Sequence, residues 1–202
     1  MGYNTYGQKN KTFGVPVQVW LEVNGVKSGG GGIVGFENLP VGAVIPAGTA
    51  VRLDKSGGTL IAIRTFEVSD ASTTTKVKVY AANVPVVGDK VIIAPETLDG
   101  TGTGFNVAAI GAEVDGKVEL TLNAAITAAA GNILVIADKQ GADAVIVATP
   151  NGLLRHDVVK EEGDTIGTGA CVDDGRIRED IAPSLPEIFK KELVTIKFEK
   201  GV

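Results

Sequence analysis

The residues able to do chemistry are few and far apart. His156 is the one histidine of the 202-residue chain and Cys171 its one cysteine. His156 stands between Arg155 and Asp157 on an alternating stretch. Nothing in the spacing brings a serine or the cysteine to it, so a structural or interface role is expected over general-base catalysis. Cys171, within Ala170-Cys171-Val172, reads as a small core residue. One cysteine leaves no intrachain disulfide and no cysteine-based zinc site. Asp164, Asp173 and Asp174 could offer oxygens to a hard cation, but their spacing matches neither an EF-hand nor a repeat-type loop. Gly111-Ala112-Glu113-Val114-Asp115-Gly116-Lys117-Val118 has the G-x4-G-K spacing of a phosphate loop. It fails physically: Val118 stands where a hydroxyl would hold magnesium, two carboxylates would face phosphate, and a strand-like run follows instead of a helix N-terminus. Asp115-Gly116 is a hairpin turn in this reading. No catalytic residue, metal site or cofactor is expected, and the protein does not read as an enzyme.

The elements that must position these residues are mostly strands. Gly occurs 27 times, aromatic residues make up 5%, and Val, Ile, Ala and Thr dominate, a profile of a turn-rich β protein. The organising stretch is Leu39–Leu53, where Ile45-Pro46-Ala47-Gly48-Thr49 makes a tight turn leading into the strand Val51-Arg52-Leu53. Asp54 to Gly58 turns the chain into a return strand, Thr59–Ile63. Upstream, Val15–Val23 alternates, with Val15, Val17, Val19, Leu21 and Val23 on one face and Gln18, Trp20 and Glu22 on the polar one. Trp20, the sole Trp, is therefore expected to be exposed at an interface. Asn24-Gly25 should close that strand in a turn, and the glycines of 28–32 should form a loop.

From Arg64 the texture changes. Asp70–Thr75 is a polar loop and Lys76–Tyr80 an edge strand guarded by lysines. Val84–Val91 repeats the Pro–Gly corner, and Thr97–Asn106 reads as loop. Val107–Ile110, Lys117–Leu122 and Asn132–Ala137 read as strands, and Ala124–Ala130 as one or two helical turns. Ala144–Thr149 is a buried strand, Asn151-Gly152 a turn, and Leu153–Lys160 and Thr165–Val172 two more strands. Pro186 opens a short helix through Leu193, and Val194–Val202 alternates as a terminal strand able to pair with an edge in its own chain or a neighbour's.

The expected fold is mainly β: a small barrel or sandwich base domain with an inserted second β-domain, a short C-terminal helix and a terminal strand. The domains run as an extended arm over 1–14, a discontinuous base of 15–63 plus 143–180, an insert of 64–142, and a C-terminal segment of 181–202. A net charge of −5 argues against a large nucleic-acid surface. No apolar run is long enough for a membrane helix, and residues 1–12 lack a signal-peptide core, so no nucleic-acid or membrane partner is expected.

The C-terminal third carries a likeness. Pro150-Asn151-Gly152-Leu153-Leu154-Arg155-His156-Asp157-Val158-Val159, Gly163-Asp164-Thr165, Gly175-Arg176-Ile177-Arg178-Glu179-Asp180 and Pro183-Ser184-Leu185-Pro186-Glu187-Ile188 resemble tailed-phage head fibre proteins. The Pro46–Val51 corner is similar to that group and to phage capsid decoration proteins, while Arg178 replaces the family's usual Tyr. The resemblance implies a virion structural protein, made in the host cytoplasm, that binds the outer surface of assembled major capsid protein as a homotrimer. Its contacts are then expected in the arm (Tyr3, Tyr6, Phe13) and near the C-terminus (Arg176, Phe189, Phe198), with Trp20 added. The competing expectation is a host-surface or carbohydrate-binding module, with 64–142 as the reader and Phe66, Tyr80 and Phe105 as its aromatics. A hydrolase using Asp and His156 is a weaker third.

Overall fold

The computed structural model describes residues 19–27, 30–83 and 85–200. The protein is mainly β, 46% strand against 5% helix, with curled sheets. The strands are β1 (Trp20–Val26), β2 (Gly31–Ile33), β3 (Val44–Ile45), β4 (Ala50–Asp54), β5 (Thr59–Ile63), β6 (Thr65–Glu67), β7 (Lys76–Tyr80), β8 (Lys90–Ile93) and β9 (Gly102–Ile110). They continue as β10 (Lys117–Leu122), β11 (Ile133–Ile136), β12 (Gly141–Ala144), β13 (Gly152–Leu154), β14 (Val158–Val159), β15 (Thr168–Gly169), β16 (Cys171–Arg178) and β17 (Ile196–Glu199). One α-helix is present among the described residues, α1, spanning Glu187–Glu192.

One sheet runs β1-β16-β13-β4-β5-β2-β15, with β17 on β16; the second runs β6-β11-β8-β9-β10-β7, with β12 on β9. The first takes its strands from both ends of the sequence and the second from the middle. β3 and β14 form a separate pair. Most pairings are antiparallel, but β17 joins β16 in parallel, so the terminal strand pairs within its own chain. It returns to the same sheet through α1, whose Phe189 lies with Leu193 in the cluster that also holds Ile196.

Three apolar clusters explain the packing. Val51, Leu53, Leu60, Leu154 and Cys171 face one side of the first sheet, where Phe36, Leu39, Ile45 and Val158 cover them. Ala50, Ile63, Leu153, Val172 and Ile177 face the other side, and there they meet Ile92 and Val135 of the second sheet. The second sheet curls round its own interior of Phe66, Val79, Val91, Val107, Leu120 and Leu134. Adjacent residues of β8 and β11 therefore point into different clusters: Val91 and Leu134 inward, Ile92 and Val135 toward the first sheet. That is why these strands are continuous apolar runs instead of alternating ones.

Several expected elements take another form. Trp20 is 6% exposed and belongs to the core, whereas Leu21 on the supposed inner face is 42% exposed. The reversal follows from register: β1 pairs with β16 through bulges that skip Leu21 and Asn24, so simple alternation does not hold. Asn24-Gly25 accordingly lies inside β1, not in a turn. Residues 28 and 29 lie outside the described residues, but Gly31 and Gly32 belong to β2. Ala124–Ala130 is not helical: the Ile126 and Ala128 amides donate to Thr74 and Ser72 carbonyls, and tertiary pairing overrides alanine's helix preference. β9 begins at Gly102, inside the expected loop, and 145–149 has only an Ile146–Ala137 bridge where a strand was expected. Gly152 opens β13 instead of turning, because the Asn151 side chain takes the place of a ladder partner. Its Oδ1 accepts from Leu53 N–H and its Nδ2 donates to Leu53 C=O, both at 3.0 Å.

Candidate functional site

The corner at Pro46–Thr49 ties distant parts of the sequence together. Gly48 has φ +83°, and the Thr49 amide donates to Pro46 C=O at 3.2 Å, closing the turn. From one side the Ala47 amide donates to Asp157 Oδ1 at 2.7 Å, and Gly48 N–H to Leu154 C=O at 2.8 Å. From the other, a Cβ on Gly48 would come within 3.0 Å of Ile177 and 3.2 Å of Ala182. The corner is thus wedged between 154–157 and 177–183. Buried Thr49 also donates through its hydroxyl to Pro46 C=O and to Asn83 Oδ1, while Asn83 Nδ2 donates to Thr65 C=O, linking the corner to the second sheet.

Of the expected contact residues, Arg176 and Phe198 lie on neighbouring strands but on opposite faces of the first sheet. β17 lies beside β16 with Ile177 opposite Phe198 and Arg176 opposite Lys197. Arg176, on the exposed face, donates bidentately to Glu199, 2.7 Å from Nε and 3.0 Å from a terminal nitrogen. Its guanidinium also stands 3.8 Å from Glu22 on β1. These hydrogen bonds raise Arg176 above its ordinary pKa and hold Glu199 below the usual carboxylate value. On the opposite face, Lys190 lies 6.0 Å over the half-buried Phe198 ring and donates to Glu179 and Glu187. Burial works to lower the Lys190 ammonium, but those two hydrogen bonds outweigh it and keep it raised. The charges on each face are mutually satisfied.

Trp20 and Phe189 are core residues. Trp20 Nε1 donates to Leu154 C=O at 3.3 Å inside the core, and Phe189 is fully buried by α1 packing on the first sheet. Both are large apolar groups that hold the sheets together, which explains why neither is offered to a partner. Tyr3, Tyr6 and Phe13 lie outside the described residues. Of the aromatics expected to read a sugar, Phe66 and Phe105 are buried in the second sheet's interior, and only Tyr80 has exposed surface, with Lys117 at 5.8 Å over its ring.

The reactive residues stay apart. His156 is exposed at the rim of a shallow cleft of about 390 Å³ formed with Gly30–Gly32, Gly58 and Thr168–Ala170. Cys171 is buried, and burial pushes its thiol up to about 11. Asp164 accepts from the Glu161 amide, whereas Asp173 and Asp174 sit on β16 against Gly25. Among the described residues no group of three His, Cys, Asp or Glu is placed to hold a metal. The Asp115-Gly116 pair of the phosphate-loop lookalike has φ +52° and +73° and is closed by reciprocal Val114–Lys117 bonds. That is a hairpin turn.

Two features have weaker sequence signals. The Arg64–Asp89 pair, 2.6 Å apart and mostly shielded from solvent, lines an apolar pocket of about 230 Å³ bordered by Phe36, Leu39, Ile61, Ile136 and Val147. Asp89 is also an acceptor for the Val86 amide at 2.8 Å, and the Gly88-Asp89 turn was its only local sign. The Thr49–Asn83–Thr65 link had none, since its members are spread over separate elements. Comparison of the sequence and fold with protein-family models, curated proteins and solved structures finds no match.

Proposed function

We propose that the protein is a virion structural component that decorates the outer capsid surface in the manner of a head fibre protein, binding assembled major capsid protein as a homotrimer. One observation carries this reading. Most of the segments that bear the resemblance, Pro46–Val51, Pro150–Val159, Gly175–Asp180 and Pro183–Ile188, come from three distant parts of the sequence yet pack as one contiguous frame around the corner. A shared frame of this kind is what a structural resemblance without catalytic motifs would preserve. Binding would bury apolar groups that the fold leaves exposed, such as Val34 at 59%, Val41 at 66% and Ile166 at 70%. Each buried apolar group of that size is worth about 1.5–3 kcal/mol before association costs. Three linked copies would then convert weak single contacts into stable attachment without new chemistry.

Deleting 181–202 cannot test this, because Phe189, Leu193 and Ile196 belong to the core. The test deletes residues 1–14 and, separately, replaces Val41 and Ile166 by Asp, and then measures occupancy on capsids that lack the protein. Reduced occupancy from a folded variant is expected. Occupancy unchanged in both variants contradicts the reading.

A further inference from the structure

We propose that Asn24-Gly25 is a site of spontaneous backbone modification, at which water converts Asn24 to aspartate and isoaspartate in the folded protein, whereas the second Asn-Gly pair, Asn151-Gly152, is protected by the fold. In this reaction the Gly25 amide nitrogen attacks Cγ of Asn24. A ring N–Cγ bond forms, the Cγ–Nδ2 bond breaks, and ammonia leaves with the amide proton. Water then opens the succinimide at either carbonyl, so asparagine plus water gives an acid plus ammonia. The attack is fastest where the following residue lacks a Cβ, and it needs a backbone free to turn toward it.

Neither glycine has room for a side chain. A Cβ on Gly25 would lie 2.8 Å from Asp173 Oδ1 and 3.0 Å from Asp174 Cβ, and one on Gly152 would lie 2.3 Å from Cys171 Sγ. The asparagines differ. Asn151 is clamped by two hydrogen bonds from its amide group to the Leu53 backbone at 3.0 Å, and its neighbours Gly152 and Leu153 are both buried. The reacting carbonyl is engaged and the backbone cannot swing. Asn24 is exposed, lies on a strand at the end of its sheet, and is a residue that the bulged register of β1 leaves without an opposite on β16. A bulge residue at a sheet edge opens at low cost. The product would add a carboxylate next to Gly25, which Asp173 and Asp174 border, and the isoaspartyl form would lengthen the β1 backbone where it pairs with β16. Both changes loosen β1.

The experiment incubates the full-length protein, folded and in parallel in strong urea, at mildly alkaline pH, then maps peptides by mass spectrometry. In the folded protein Asn24 converts roughly tenfold or more faster than Asn151, and in urea the two convert at similar rates. Equal conversion of the two pairs in the folded protein overturns the proposal. So does conversion at Asn151 alone, or no conversion at Asn24 over a period in which both react in urea.

Discussion

Cys171 illustrates how burial decides what a reactive group can do. It is fully enclosed between the first sheet and its covering segments, and its thiol is raised from 9.0 to about 11 because the thiolate would be desolvated. Near pH 9 the group therefore stays neutral in the folded protein while it is half ionised in the unfolded form. The stabilisation this provides is present below pH 9 and is lost as pH rises from 9 toward 11. Chemical denaturation across that range should show a steeper loss of stability for the native protein than for Cys171→Ala, and alkylation of the folded protein at pH 8 should be far slower than in urea. Trp20 teaches the complementary lesson. Its neighbours alternate as a half-buried strand would, and only the bulges in β1 place the indole inside, where its N–H meets Leu154 C=O. A bulge leaves no mark in a period-2 pattern, so the side of that tryptophan was not legible.

Turns marked by proline or aspartate were the most legible elements because their chemistry is local, whereas Asn24-Gly25 lies within a strand and Asn151-Gly152 leads into one. Pro46-Ala47-Gly48-Thr49, Asp54–Gly58 and Asp115-Gly116 can each be read from residue type, and each is a turn. Gly48 and Gly58 both have positive φ, +83° and +59°, but their surroundings differ. A Cβ at Gly58 meets nothing within 4 Å, while one at Gly48 presses on Ile177 and Ala182. Gly58→Ala should cost only the left-handed penalty of about 1–2 kcal/mol. Gly48→Ala should cost about 1–3 kcal/mol more, from overpacking at the wedge. Urea denaturation of the two variants measures the difference, and equal losses would mean that the corner is not wedged. Where an element depends on a distant partner, the sequence misled: Ile126 and Ala128 are extended because Ser72 and Thr74 lie beside them, and alanine content pointed to helix. The α1 helix was legible from Pro186 and the Ile188, Phe189, Leu193 pattern, with Pro186 as its N-cap.

The two sheets are joined by the middle cluster, to which Ile92 and Val135 come from one side and Trp20, Leu153 and Ile177 from the other. Buried Thr49, Asn83 and Thr65 add hydrogen bonds across the same junction. The halves should therefore unfold together. Ile92→Ala, in the second sheet, should lower stability by about 2–5 kcal/mol. It should shift the transition seen by Trp20 fluorescence, which reports on the first sheet, as much as that seen by circular dichroism. A Trp20 transition left in place would show independent halves. The continuous apolar runs at Val91–Ile93 and Ile133–Ile136 signalled strands, but not that their two faces serve two different cores. The residues expected at a contact surface were only partly legible for the same reason: Arg176 faces solvent, the parallel register of β17 on β16 sets Phe198 on the opposite face with Ile177, and Phe189 turns inward.

The proposed role is tested most directly by electron microscopy of capsids that lack the protein, with and without the purified protein added back. Added density is expected on the outer capsid surface, three copies per attachment point, sized for this two-sheet body. Capsids that remain bare at saturating protein, with its folding verified, would contradict it.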